Sequence, residues 1–191
     1  MQPATDFPLP SDLPRPNDDG AARHLLNMAM PGIRLRSTAG RMVDLSSLTA
    51  PITVIYCYPM TGVPGTPLPA GWDMIPGARG CTPQTCSFRD NHQHLSRLGV
   101  EVFGMSTQST EYQREMAARL HVPFEILSDD RFELCDALRL PEFIVDGMRL
   151  VKRITLIVRG GRIEHVFYPV FPPNESADQV IAWLRDHPVS N

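Results

Sequence analysis

Two cysteines, Cys81 and Cys86, stand five positions apart where a glycine-closed loop gives way to a helical pattern. Cys81 follows Gly80 and precedes Thr82 and Pro83, and proline suits a first helical position. A thiol in the first turn of a helix meets unpaired backbone N–H groups and the positive end of the helix dipole, which favour thiolate over thiol. Cys81 is therefore expected to be a nucleophile. Reduction of a peroxide needs such a thiolate aimed along the O–O bond, with donors that stabilise the charge on the departing oxygen. Arg153, at the start of an apolar strand pattern, is the candidate donor; a salt bridge to one of the 21 acidic residues is the alternative use of a buried guanidinium.

An intact helix would separate Cys81 and Cys86 by about 7.5 Å along its axis and leave them on different faces. A disulfide needs Cα atoms within roughly 7 Å, so oxidation of this pair predicts unwinding of the first helical turns. The expected sequence is sulfenic acid at Cys81, then attack on it by Cys86. Two other readings stand beside this one. The cysteines could pack as small hydrophobes. With His92 and His94 they could bind zinc, although that spacing does not match the arrangements that hold tetrahedral zinc. Cys57, inside an apolar strand, and Cys135, on an amphipathic helix, read as inert core residues. His92, His94 and His165 read as solvated surface histidines.

The elements that must position these residues alternate. A short helix over 21–30 is expected first, then a hairpin of 32–37 and 41–45 turning at Gly40. Residues 51–58 are β-branched and aromatic, which predicts a central strand buried on both faces. A Gly- and Pro-rich loop over 60–80 follows, with Trp72 and Ile75 expected to order its tip. A helix over 81–98, a strand over 100–106, a helix over 110–120, a strand over 124–128 and a helix over 131–138 come next. Strands over 150–158 and 162–168 should form a hairpin at Gly160 and Gly161, and a last helix runs over 176–186. This order suits an α/β domain with a mixed sheet and crossover helices.

With 191 residues, 42% of them hydrophobic, the chain can bury one substantial core. The formal charge of −3, without basic clusters, argues against nucleic acid as a partner. Apolar runs are too short to span a bilayer. Residues 1–18, rich in Pro, Asp and Asn, read as a mobile arm ahead of one domain over 19–191, and they do not read as a signal peptide. Four cysteines are too few for a structural disulfide framework, so a cytoplasmic location and redox chemistry are expected.

The run Gly80, Cys81, Thr82, Gln84, Cys86, Phe88, Arg89, Asp90 and Asn91 resembles the motif of the peroxiredoxins, specifically the Q-type branch that includes the bacterioferritin comigratory proteins. Residues 102–107, 127–129, 153–157 and 161–167 resemble that branch's later strands, so the resemblance covers roughly residues 31–186. It implies a thioredoxin-like fold with an N-terminal extension. Cys81 would be the peroxidatic cysteine, Cys86 the resolving cysteine and Arg153 the active-site arginine. The substrates would be hydrogen peroxide and organic hydroperoxides, and the reductant thioredoxin or a glutaredoxin-like dithiol. No metal or other cofactor is implied, and monomer and homodimer both fit.

One departure bears on the site. The family places a proline seven residues, and a threonine three residues, before the peroxidatic cysteine; here those positions hold Met74 and Ala78. The resemblance then implies an insertion of about fifteen residues within 60–80. Thr61 or Thr82 would return the missing hydroxyl, and Pro59 or Pro76 would shield the sulfur. Two other functions fit the same cysteines: a redox-sensing module with little peroxidase turnover, and a general thiol–disulfide oxidoreductase, whose usual C-x-x-C spacing is absent.

Overall fold

The structure is a computed structural model and describes residues 9 to 188. Its strands are β1 (Arg34–Ser37), β2 (Met42–Asp44), β3 (Ile52–Cys57), β4 (Val100–Ser106), β5 (Ile126–Ser128), β6 (Glu142–Val145), β7 (Met148–Val151), β8 (Ile154–Arg159) and β9 (Arg162–Phe167). The α-helices are α1 (Cys81–Arg97), α2 (Thr110–Arg119), α3 (Glu133–Leu138) and α4 (Ser176–Asp186). Seven strands form one mixed sheet in the order β2-β1-β5-β4-β3-β8-β9, while β6 and β7 pair apart from it. A mixed sheet flanked by helices is the thioredoxin-like α/β architecture that the alternation predicts.

All six residues of β3 are buried, as an uncharged β-branched and aromatic strand requires. Successive side chains point to opposite faces of the sheet. Val54 and Tyr56 pack with Phe88 and Leu95 of α1, Met116 of α2 and Val180 and Ile181 of α4. Ile55 and Cys57 face the other layer, with Leu134 and Leu138 of α3 and with Leu25, Leu35 and Leu45. Strand β3 runs parallel to β4, with Cys57 opposite Met105. It runs antiparallel to β8, with Cys57 opposite Ile154. The C-terminal end of β3 therefore lies beside the start of β8, and this places the residue before Ile154 next to the loop that leads to α1.

Two expectations need correction. The helix expected over 21–30 is only a 3-10 turn at Arg23–Leu25. Asn27 then takes a positive φ, and the N–H groups of Asn27 and Met30 donate to Ile163 and Gly161 along the edge of β9. Pairing with that edge replaces helical bonding. The strand expected over 150–158 is interrupted at Lys152 and Arg153, and its first half pairs with β6. The turn is Asp146-Gly147, both at positive φ, and Asp-Gly is a strong hairpin signal.

Of the arm expected over 1–18, residues 1–8 lie outside the described residues. Residues 9–18 form neither helix nor strand, and the Arg15 guanidinium lies over the Phe171 ring at 5.1 Å. Among the described residues no helix is long and apolar enough to cross a membrane.

Candidate active site

Helix α1 begins at Cys81, with Gly80 as its N-cap at φ +105° and no side chain capping it. The opening lies at Gly80 rather than at Thr82 and Pro83, and it needs glycine for two reasons. The backbone there is left-handed, and a Cβ would stand 2.3 Å from Cγ of Pro173. The uncapped first turn leaves its N–H groups free to meet an anion. Cys81 itself is 4% exposed.

Arg153 sits in the break between β7 and β8, and its side chain is buried. Its Nη2 donates to Cys81 Sγ at 3.3 Å and to the carbonyls of Ala78 and Arg79, both at 3.1 Å. Its Nη1 donates to Gln84 Oε1. No carboxylate pairs with it among the described residues, so the salt-bridge alternative is not the arrangement found. The guanidinium is held by three neutral oxygens and presents its charge to the sulfur. A charged donor held in a nearly dry site is the arrangement that stabilises an anion best.

Cys81 opens on a cavity of about 570 Å³ that Thr61 and Thr82 also line, together with Met60, Leu68 and Trp72 from the loop over 60–80. Both candidate hydroxyls thus share a cavity with the sulfur. Thr61 is held in place: its N–H and hydroxyl both donate to Gln108 Oε1, at 2.9 and 3.3 Å, and its carbonyl accepts from Tyr112 Oη at 2.9 Å. Ala78 contributes only its carbonyl, which accepts from the Cys81 thiol at 3.6 Å. Met74 is exposed and shields nothing. Pro59 is buried at the end of β3, whereas Pro76 is exposed and borders a different cavity, against Arg153. Trp72 and Ile75 do order the loop, packing with Ala78, Val145 and Leu150.

All four cysteines are free, and Cys81 and Cys86 lie in one unbroken helix. Cys86 is half-buried against the α1–α4 core, and burial pushes its thiol above the ordinary cysteine range. Cys57 and Cys135 are buried in the opposite layer and pushed well up by desolvation, as inert core thiols should be. His94 is exposed. His92 and His165 are half-buried, and His165 is stacked on Trp183 at 4.9 Å with burial lowering its ring pKa, so neither is the freely solvated histidine expected.

The redoxin family matches residues 25 to 181, most of the chain. The chain belongs to that family. It is 29% identical over 161 residues to peroxiredoxin Bcp of Escherichia coli strain K12, covering 82% of this chain and 93% of the relative. Two solved structures share its fold. Peroxidoxin BcpB of Mycobacterium tuberculosis superposes with a TM-score of 0.69 at 22% identity, covering 84% of this chain and 96% of that one. Peroxiredoxin Q of Xanthomonas campestris gives 0.67 at 23% identity, with the same coverages. The branch that the cysteine motif resembles is the branch these relatives occupy.

Two residues that reasoning from sequence assigned no role hold this redoxin site together. Gln84 bridges Arg153 to Ser176 of α4, its Nε2 lying 3.3 Å from Ser176 Oγ. Gln108 ties the start of the 60–80 loop to the end of β4. Gln84 occurs within the quoted motif, so its position between the two cysteines was the available signal. Nothing local marks Gln108, whose partner Thr61 is 47 residues away.

Proposed function

We propose that this redoxin is a thiol-dependent peroxidase in which Cys81 is the peroxidatic cysteine and Cys86 resolves it. The single observation that carries the reading is the 3.3 Å approach of Arg153 Nη2 to Cys81 Sγ at an uncapped helix start beside an open cavity. The Cys81 thiolate attacks the terminal oxygen of a hydroperoxide and the O–O bond breaks. Arg153 and the first-turn N–H groups meet the charge on the departing oxygen, which leaves as alcohol or water after taking a proton. Cys81 is left as a sulfenic acid. The Cys86 thiol attacks it once α1 has opened, water leaves, and a disulfide remains. A dithiol protein such as thioredoxin or glutaredoxin, in a reducing cytoplasm, returns both thiols by exchange. Thr61 and Thr82 are the hydroxyls on the cavity wall that hold the peroxide where the family uses a threonine.

Peroxide consumption coupled to thioredoxin and its reductase tests the proposal. Turnover that vanishes in Cys81→Ser, and stops after one equivalent in Cys86→Ser without an added monothiol, is the expected result. A second reading, a redox sensor, draws on Ala78 standing where the family has a hydroxyl and on Thr61 donating its proton to Gln108. Stoichiometric oxidation of the wild-type chain without turnover decides for the sensor.

A further inference from the structure

The cavity that holds Cys81 has more room and more hydrocarbon on its walls than hydrogen peroxide can use. At about 30 Å³ per water-sized group, hydrogen peroxide fills roughly 60 Å³. The cavity measures about 570 Å³, inside the range of roughly 300–1,000 Å³ that takes small organic ligands. Beside the residues of the helix start, its walls include Met60, Val63, Leu68 and Trp72, all from the stretch between β3 and α1. Among the described residues the charged groups that line it are Arg79 and Arg119, and each is already paired, with Asp73 at 2.6 Å and with Glu115 at 2.8 Å. The cavity therefore offers apolar surface and no spare charge.

This wall is tied down along its length. Gln108 holds Thr61, the Ala70 N–H donates to Asp146 Oδ2 at 3.2 Å in the β6–β7 turn, and Trp72 packs with Ala78, Val145 and Leu150. Covering a surface that is already fixed costs little further ordering. Trp72, 4% exposed, is committed to that packing, whereas Leu68 is only partly buried and keeps hydrocarbon free for a ligand. The wall also belongs to the stretch that departs from the family pattern at Met74 and Ala78.

We propose that the 60–80 loop is a specificity element, with Leu68 its determining residue, which selects neutral hydroperoxides carrying an apolar body over hydrogen peroxide. The inference rests on the peroxidase reading above. A body of roughly ten carbon-sized groups, at the same volume per group, occupies about half of the cavity. The chemistry is unchanged: the Cys81 thiolate takes the terminal oxygen and becomes the sulfenic acid, the O–O bond breaks, and the alkoxide takes a proton and leaves as alcohol. Contact with the wall adds binding that hydrogen peroxide cannot draw on, so the preference appears in kcat/KM.

The test uses the full-length protein with cumene hydroperoxide and hydrogen peroxide. Leu68→Asn, which keeps the volume and removes the hydrocarbon, should lower the ratio of kcat/KM for cumene hydroperoxide to that for hydrogen peroxide about tenfold. Leu68→Trp, which fills the cavity, should lower the same ratio by crowding. In a Cys86→Ser background, iodoacetamide alkylation of Cys81 reports whether α1 was disturbed, and it should move by less than about twofold in either variant. A binding measurement stands apart from turnover. In Cys81→Ser, 2-phenylpropan-2-ol, the alcohol that cumene hydroperoxide leaves, should bind with a Kd on the order of 1 mM by ligand-observed NMR. Its carboxylate counterpart, 2-methyl-2-phenylpropanoate, should bind no more tightly, because both arginines are already paired. An unchanged ratio in both variants, or losses shared by both peroxides and by alkylation, overturns the role of Leu68. Tighter binding of the carboxylate overturns the neutral class. Alcohol binding that depends on Leu68, in a protein whose wild type shows no peroxidase turnover, supports the apolar site and counts against the proposed function alone.

Discussion

Among the described residues no carboxylate neutralises Arg153, and three neutral oxygens, one of them from Gln84, hold its charge against Cys81. Removing it takes away the donor and leaves the Ala78 and Arg79 carbonyls facing a void. Arg153→Ala should lower kcat/KM for peroxide by about 10²–10³, and Arg153→Lys should recover little because an ammonium cannot reach sulfur and both carbonyls in one plane. Stopped-flow oxidation of Cys81 checks both, and a rate within a factor of about three of wild type for either variant would contradict the role. Ala78 makes a second residue-scale test. It is fully buried beside Trp72 and Val145, so Ala78→Thr restores the family hydroxyl only by overpacking. A loss of about 1–3 kcal/mol in denaturant unfolding is expected, without gain in rate. The cysteine and the arginine were legible in the sequence because reactive chemistry narrows which residue types serve. Gln84 and Gln108 were not, since a neutral amide acquires a role only from what folding brings against it.

At the scale of elements, the proposed resolution by Cys86 requires α1 to hold Cys81 in place and yet release it. Its middle is anchored by Phe88, stacked on Tyr56 with ring centroids 4.4 Å apart, a contact worth roughly 0.5–1.5 kcal/mol beyond its buried area. Its first turns depend on hydrogen bonds instead: Gln84 accepts from Arg153, Thr85 from the Tyr56 hydroxyl and Ser87 from the Ala177 N–H. At about 1 kcal/mol for each neutral bond and roughly 1.5–3 kcal/mol for the one from the guanidinium these are breakable, so the start of α1 can open while Phe88 and Leu95 stay docked. Gly80→Ala should cost about 1–3 kcal/mol in stability, since it combines a positive φ with a clash against Pro173; chemical denaturation reads this directly. Resolution by Cys86 should depend on pH with a defined sign. Burial raises its thiol in the closed helix, so closure is favoured while the thiol stays protonated; that advantage is fully present below the ordinary cysteine value of about 8.5 and is lost as pH climbs from there through the raised one. Disulfide formation, followed by acid quench and intact mass after one peroxide pulse, should accelerate between about pH 7 and 9.5; a flat profile contradicts a buried resolving thiol. Strands and helices with clean periodicity were readable in advance, among them β3, α1, β4, α2, the β8–β9 hairpin and α4. The segments that differ from expectation are 21–30, whose backbone bonds go to the distant edge of β9, and 150–153, whose start belongs to a separate hairpin with residues 142–145, a stretch assigned nothing beforehand.

Across the whole molecule, the chain preceding the domain reaches the chemistry. Leu9 lies on the cavity that Cys81 opens into and 3.4 Å from where a Cβ of Gly80 would stand. Further along, Asp19 binds Lys152 at 2.7 Å and Tyr168 Oη at 2.8 Å, and these bonds hold its carboxyl down at about 2. That anchor is therefore in place at any pH above about 4, where a free aspartate is also ionised, and weakens only as pH falls toward 2. It is exposed, so its worth is at most about 1 kcal/mol and it positions the arm more than it stabilises the fold. No residue from 9 to 18 belongs to either of the two main core clusters. Deleting residues 1–15 while keeping Asp19 should therefore leave the thermal midpoint little changed. It should also remove Leu9 from the cavity and raise the rate at which a bulky maleimide alkylates Cys81 by several-fold, with a smaller effect on hydrogen peroxide, which needs no such room. Equal acceleration of both reagents would mean that the arm restrains α1 itself rather than the width of the entrance, and no acceleration of either would mean that Leu9 leaves the approach to the sulfur unobstructed.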